Sequence, residues 1–310
     1  MNIVDPLNQT KLFGLDKFIT ELINLYSKND LPNKILLSGQ KGLGKSTLAY
    51  HFINYVLSKD EEFSYDLNKF QIDTKNHYFK TALNNSNPNL ILIDINTEKK
   101  FIDINQVREL ISDLNKSSFN NKPRFILIDN IEFLNINSVN ALLKILEEPS
   151  LNAYFILINN NKNIPSTLKS RCINFKISLT NHEIMNISNK LLDNELNNVV
   201  SKELINYYFT PGNIYKLVMF GQSNNFDLSD FNLKEFIKTI IKDNYYKKDD
   251  FIKSVIFEFI EFYFIKFNFS ISSAIHEQYS YFLKRISDTK KFNLDEESLF
   301  MEFEEKILNG

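Results

Sequence analysis

The chain has 310 residues but only one cysteine, no tryptophan, seven glycines and seven prolines. The lone Cys172 excludes an intramolecular disulfide and a four-cysteine zinc site, and it is typical of a protein from a reducing compartment. The formal net charge is only -2. This near-neutral balance argues against a strongly basic nucleic-acid-binding protein, although it leaves room for a local basic patch.

Long apolar runs are also missing. No basic-then-apolar segment opens the chain, and no run reaches about 18 apolar residues, so neither export nor a membrane span is predicted. The nearest approach, residues 255–267, is interrupted by Glu258, Glu261 and Lys266. We interpret it as a buried or interface helix and expect a cytoplasmic protein without a membrane partner.

The scarce glycines are concentrated in one loop. Residues 39–47 read G-Q-K-G-L-G-K-S-T, after the apolar strand pattern of residues 34–38 and before a helical pattern. This is a G-x-x-x-x-G-K-S phosphate loop in its required strand–loop–helix context, which argues against a functionless glycine-rich turn. Backbone N–H groups would surround phosphate oxygens, Lys45 would reach the terminal phosphates and Ser46 would bind Mg²⁺. The predicted binding residues are Gly39, Gly42, Gly44, Lys45, Ser46 and Thr47.

A second strand ends in an acid that suits this loop. Residues 125–129 are an apolar run ending in Asp129, which is how a buried parallel strand presents a carboxylate at the carboxyl edge of a sheet. We expect Asp129 on the Mg²⁺ side of the nucleotide, with Ser46. The next residue, where a water-activating glutamate is expected, is Asn130, and an amide cannot act as a base. Glu132 is either a substitute for that base or a surface acid.

The remaining pattern predicts an α/β domain followed by helices. Further strands are predicted at residues 89–95, at residues 154–159 and after Cys172, which makes five parallel strands. Capping boxes are predicted at Asp103 with Gln106 and at Thr180 with Glu183, and strand patterns stop after Thr180. We predict a nucleotide-binding domain at residues 1–178, a small helical lid at 179–221 and an all-α domain at 222–310.

Two polar residues outside the loop are candidates for function. Asn159 ends the fourth strand, where it would either contact the γ-phosphate or its water, or simply begin a loop. Arg171 is one of four arginines in a chain that otherwise uses lysine. It precedes the fifth strand, and in isolation it would be interpreted as a surface ion-pair residue.

Three motifs in this order resemble the bacterial clamp-loader AAA+ subunits, and among them the delta-prime type of DNA polymerase III. They are the phosphate loop, the N-A-L-L-K-I-L-E-E-P run of residues 140–149, and Ser170-Arg171-Cys172. The resemblance covers about residues 10–220, and the helical remainder has a length compatible with an oligomerisation collar. It implies ATP or ADP with Mg²⁺ as cofactor and Asn159 near the first-sensor position, with the loop about one residue short. It also implies that Arg171 is an arginine finger for the ATP site of a neighbouring subunit.

Four departures from the family pattern favour the delta-prime type over the tau/gamma motor. No cysteine cluster occurs within residues 58–90, so no zinc is predicted. Asn130 replaces the catalytic glutamate, and no long C-terminal tail is expected. The second-sensor arginine, expected near residues 211–213, is missing because no arginine occurs between residues 172 and 284.

The resemblance therefore implies a subunit that supports ATP-dependent loading of the sliding clamp onto primed DNA. Its expected partners are the tau/gamma and delta subunits, the sliding clamp, and primer-template DNA through the complex. It would bind nucleotide but hydrolyse it poorly. The alternatives are a self-sufficient motor of the tau/gamma type and a scaffold that binds no nucleotide.

Overall fold

The computed structural model describes residues 5–95, 101–116, 120–148, 152–205, 209–267, 273–292 and 294–309. Pro149, at which the sequence predicts the end of a helix, lies outside these residues. The chain divides into two compact units. The first comprises Met1–Leu191 with Thr210–Gly212, and the second comprises Leu192–Phe209 with Asn213–Gly310.

A five-stranded parallel sheet is the centre of the first unit, which confirms the predicted fold class. Its strands are β1 (Lys34–Ser38), β2 (Leu90–Ile93), β3 (Arg124–Ile128), β4 (Ala153–Asn159) and β5 (Ile173–Lys176). Their order is β2-β3-β4-β1-β5, and each neighbouring pair is parallel. The interior strands β3 and β4 are buried along most of their length. Helices on both faces require apolar side chains on both faces, which explains the continuous apolar runs.

Helices cover both faces of the sheet and create two apolar layers. The helices of this unit are α1 (Asp16–Ser27), α2 (Lys45–Leu57), α3 (His77–Leu83), α4 (Ile104–Leu114), α5 (Ile136–Glu147), α6 (Ser166–Lys169) and α7 (Asn181–Leu192). One layer joins α1 and α2 to the sheet through residues such as Ile19 and Phe52. The other joins α4 and α5 through residues such as Val107 and Leu142.

Both predicted capping boxes are confirmed. Asp103 accepts a hydrogen bond from the Gln106 N–H at 3.2 Å, and the Gln106 side chain accepts one from the Asp103 N–H at 3.1 Å. At α7, Glu183 accepts from the Thr180 N–H at 2.7 Å while the Thr180 hydroxyl accepts from the Glu183 N–H at 3.3 Å. These bonds satisfy N–H groups that the first turn of a helix leaves unpaired.

The second unit is built from helices in its described residues. They are α8 (Leu196–Val199), most of α9 (Pro211–Ser223), α10 (Leu233–Lys242), α11 (Tyr245–Lys248), α12 (Asp250–Phe267), α13 (Ser273–Phe292) and α14 (Glu296–Phe303). Its core is rich in phenylalanine, and the most buried are Phe236, Phe259, Phe282, Phe300 and Phe303. The division of the helical part into a lid and a collar at residue 221 stays a prediction. None of the described helices is both long and apolar enough to cross a membrane.

We expect Leu142→Ala to lower the free energy of unfolding of the first unit by about 2–5 kcal/mol, because it leaves a cavity in the layer under α5. Leu142 is fully buried, whereas Ile136, on the same helix, is 79% exposed. Ile136→Ala is therefore the matched control and should change stability by no more than about 0.5 kcal/mol. Urea unfolding followed by circular dichroism measures both variants. Equal losses would contradict the described packing of α5.

Candidate functional site

The phosphate loop lies between β1 and α2, at the carboxyl edge of the sheet. Gly39, Gly42 and Gly44 have positive φ angles of 154°, 86° and 82°. Residues other than glycine rarely adopt such backbone conformations. A Cβ atom on Gly39 would lie 2.4 Å from the carbonyl oxygen of Ile177. Backbone conformation and space therefore both require glycine at the start of the loop.

Lys45 is folded back onto the loop that it follows. Its side chain is almost completely buried, and its Nζ donates to the carbonyl oxygens of Gly39 at 2.9 Å and Gln40 at 2.6 Å. Burial lowers the pKa of Lys45 to about 8, although the negative charges of Asp129 and Glu132 oppose that shift. A buried ammonium whose hydrogen bonds go to backbone carbonyls is well suited to exchange them for the stronger acceptor oxygens of a phosphate.

Ser46 and Asp129, both of which the sequence predicts on the Mg²⁺ side of a nucleotide, contact each other. The Ser46 hydroxyl, in the first turn of α2, donates to Asp129 Oδ2 at 2.5 Å. Asp129 follows β3, and burial raises the pKa of its carboxyl group while the Ser46 hydrogen bond opposes that shift. Thr47 follows in the same turn of α2.

These residues could hold a magnesium ion only together with a nucleotide. Among the residues that the structure describes, no group of three or more His, Cys, Asp and Glu side chains is arranged to hold a metal ion. Mg²⁺ usually takes one or two protein oxygens and completes its shell with water and phosphate oxygens. The Ser46–Asp129 pair beside a glycine-rich loop fits that pattern.

A chain of side-chain amides and acids lies next to Asp129. Asn130 donates from Nδ2 to Asp94 Oδ1 at 2.7 Å. Asn160 Nδ2 donates to Asn130 Oδ1 at 2.8 Å and to Glu132 Oε1 at 3.0 Å, and its backbone N–H reaches Glu132 Oε2 at 3.3 Å. Both functional groups of the Asn130 amide are therefore engaged, and Asn160 contacts both oxygens of Glu132.

Asn159, the predicted sensor residue, does not join this chain. It is buried, its Nδ2 donates to the carbonyl oxygen of Lys162 at 2.9 Å, and its Oδ1 accepts from the Lys162 N–H at 3.0 Å. Its side chain thus closes the turn after β4. The neighbouring Asn160 is the residue that contacts Asn130 and Glu132.

The segment in which a second-sensor arginine is expected contacts the phosphate loop through its backbone. The Gly212 N–H donates to the carbonyl oxygen of Gly42 at 2.9 Å, and the Thr210 hydroxyl donates to that of Lys41 at 2.9 Å. A Cβ atom on Gly212 would lie 2.8 Å from the Cα atom of Gly42. No side chain, and so no arginine, fits at position 212 in this arrangement.

Arg171 lies at the opposite edge of the sheet from the phosphate loop of its own chain. It precedes β5, in which Ile173 is paired with Ile35 near the start of β1, whereas Gly39 follows the end of β1. The five residues of β1 separate the two by about 16 Å at roughly 3.3 Å per residue. The Arg171 guanidinium donates to the carbonyl oxygen of Thr167 at 3.0 Å and forms an ion pair with Glu147.

The family model for the DNA polymerase III delta subunit matches residues 14–181, which is more than half of the chain. The chain belongs to this clamp-loader family. Its first unit is accordingly an AAA+ phosphate-loop domain, and the match covers the loop, Asp129 and Arg171.

Individual relatives of this clamp-loader chain carry both subunit names. It is 27% identical over 260 residues to a DNA polymerase III subunit delta' from Buchnera aphidicola, and the match covers 78% of this chain and 74% of the relative. It is 29% identical over 201 residues to a DNA polymerase III subunit gamma/tau from Mycoplasma genitalium. That match covers 64% of this chain but only 31% of the relative. A gamma subunit-related protein from Thermotoga maritima aligns at 16% identity over 96% of this chain and 97% of the solved structure, with a TM-score of 0.43.

Local sequence patterns do not identify every residue of this candidate site. The predicted strand at residues 89–95 includes Asp94, but β2 ends at Ile93 and Asp94 follows it. The rule that identified Asp129, an acid directly after an apolar run, also applies to Asp94. By contrast, Gly212 lies far from the loop in sequence, and no local pattern predicts its contact with Gly42.

We expect the side-chain amine of Lys45 to titrate near pH 8, well below the ordinary value of 10.5, because burial lowers its pKa. In Asp129→Asn the pKa should fall further, since the charge of Asp129 stabilises the ammonium form. The Cε signal of ¹³C-labelled lysine followed by NMR as the pH is raised measures both values. The signal missing from Lys45→Met assigns the resonance. A Lys45 signal that titrates with the exposed lysines would contradict the described burial.

Proposed function

We propose that this protein is a delta-prime-type subunit of the clamp loader, binding ATP or ADP with Mg²⁺ but hydrolysing it poorly. The loop glycines, Lys45, Ser46 and Asp129 would hold the nucleotide and its metal ion. Bound Mg²⁺ would neutralise phosphate charge. Lys45 would exchange the loop carbonyls for phosphate oxygens, and Ser46 and Asp129 would direct their oxygen atoms to the metal ion.

The proposal of slow ATP hydrolysis rests on the identity and contacts of Asn130. It follows the Mg²⁺-side acid, its amide is engaged by Asp94 and Asn160, and it has no carboxylate with which to take a proton from water. Loss of general-base assistance typically lowers a rate by about 10²–10⁴. Tight binding with slow turnover is the combination that this site supports best.

We further propose that Arg171 acts on the nucleotide of a neighbouring subunit. Its place at the sheet edge opposite its own phosphate loop supports action in trans. The partners would be the tau/gamma and delta subunits, and the assembled complex would place the sliding clamp on primer-template DNA. A subunit that hydrolyses ATP slowly would then contribute to hydrolysis in the ATP site of its neighbour. An arginine finger accelerates hydrolysis by about 10³–10⁵.

A second candidate function is a self-sufficient motor in which Glu132 replaces the missing base. One observation favours it: the negative charge of Glu132 helps to stabilise the ammonium form of Lys45. Against it, Asn160 donates to both oxygens of Glu132. The remaining alternative is a scaffold that binds no nucleotide, and the next experiment also tests it.

We expect the isolated protein to bind a fluorescent ATP analogue in the presence of Mg²⁺. Lys45→Ala should weaken binding by about tenfold to a hundredfold, because it removes a charge-assisted hydrogen bond. ATP turnover should be slow, and it should rise in Asn130→Glu but not in Asn130→Gln. The glutamine variant is the matched control, because it places the same left-handed backbone strain on residue 130 without adding a base.

Other results identify the alternatives. Turnover at a rate typical of ATPase motors that is abolished in Glu132→Gln would identify a self-sufficient motor. Absence of binding by both wild type and Lys45→Ala would identify a scaffold.

For Arg171, we expect Arg171→Ala to leave folding and assembly intact and to lower ATP hydrolysis by the reconstituted complex, by about 10³ or more at the neighbouring site. Arg108→Ala, which removes an exposed arginine from α4, is the control. It should change neither assembly nor the rate of ATP hydrolysis. Gel filtration checks assembly, and phosphate release measures hydrolysis. Unaltered hydrolysis by a correctly assembled Arg171→Ala complex would exclude the trans role.

A further inference from the structure

The Arg171 guanidinium is held at two points in the isolated chain. Nη1 donates to the carbonyl oxygen of Thr167, at the start of α6, at 3.0 Å. Nη2 donates to Glu147 Oε1. One contact comes from the local turn before β5, and the other from a side chain 24 residues away in sequence.

Folding stability does not explain the Arg171–Glu147 pair. Their side chains are 31% and 54% exposed, and ion pairs with this exposure contribute little to the stability of a folded chain. The pair does restrict a long and flexible side chain. A flexible arginine would have to be ordered each time it engaged a phosphate, whereas a held one is already ordered.

The two contacts leave most of the guanidinium available. Arginine has five N–H donors in a planar fork, and the contacts with Thr167 and Glu147 use one donor on each terminal nitrogen. The Nε hydrogen and one hydrogen on each terminal nitrogen remain. Planar donors of this kind match the oxygen atoms of a phosphate group.

Glu147 is the last residue of α5, and the backbone before it is held in place. The preceding Leu146 is fully buried, and the carbonyl oxygen of Leu146 accepts a hydrogen bond from Lys34 Nζ at 3.0 Å. The adjacent Glu148 is also exposed, but the described residues include no ion-pair partner for it. The backbone at the end of α5 is therefore fixed next to Glu147, whose carboxylate pairs with Arg171.

We propose that Glu147 is a positioning residue, which holds the Arg171 guanidinium so that its remaining donors reach the phosphates in the ATP site of the neighbouring subunit. The inference rests on the proposed trans role of Arg171. Glu147 does not touch the nucleotide. It acts through Arg171 only.

The test is steady-state ATP hydrolysis by the reconstituted clamp-loader complex with Glu147→Gln, Glu147→Asp and, as the matched control, Glu148→Gln. We expect Glu147→Gln to lower kcat by about tenfold to a hundredfold, since small errors in the position of a catalytic group cost about that much. KM for ATP should not change, because the neighbouring subunit binds ATP with its own loop. Glu147→Asp keeps the charge on a shorter arm and should recover part of kcat, and Glu148→Gln should equal wild type.

A double variant separates positioning from a general structural effect. If Glu147 acts through Arg171, then Glu147→Gln should cause no further loss of kcat in an Arg171→Ala background. An equal loss in both backgrounds, or no loss with Glu147→Gln alone, would overturn this inference and leave the role of Arg171 standing. Failure of both Glu147 variants to assemble, when Arg171→Ala assembles, would overturn it too and identify an interface residue. Unchanged hydrolysis in Arg171→Ala itself would overturn both proposals.

Discussion

The parallel direction of all five strands is the constraint on which the arrangement of this molecule depends. It brings the residues after β1, β2, β3 and β4 to one edge of the sheet, so the phosphate loop, Asp94, Asp129 and Asn160 meet without being close in sequence. It also places Arg171, which precedes β5, at the other edge. The phosphate loop and Arg171 of one chain therefore lie at opposite ends of the strands.

Burial gives the loop its electrostatic character. It lowers the pKa of Lys45 and raises that of Asp129, so the charged form of each side chain is disfavoured while each still stabilises the charge of the other. Lys45 satisfies its donors with the carbonyl oxygens of Gly39 and Gln40. Because this ammonium is already desolvated, a phosphate that replaces those carbonyls meets it without first removing its water.

Much of this site could be predicted from local patterns, and the rest depends on contacts that such patterns do not contain. The glycine loop and Asp129 were identifiable because each lies directly after an apolar strand. The choice between Asn159 and Asn160 was not, because it depends on which of two adjacent amides turns back onto Lys162. The contact of Gly212 with Gly42 and the pair of Glu147 with Arg171 both form only when distant segments of the chain meet.

The two positions where the resemblance implies charged catalytic residues both carry a backbone constraint. Asn130 has a φ of 54°, a left-handed conformation that asparagine tolerates and that costs most other residues about 1 kcal/mol or more. Gly212 packs so closely on Gly42 that even a methyl group would have to displace backbone atoms. Asn130 and Gly212 therefore suit the local backbone geometry, and neither has the charged group of a glutamate or an arginine. An arginine at position 212 would therefore require the backbone to move, whereas a glutamate at position 130 would only bear the cost of the left-handed conformation.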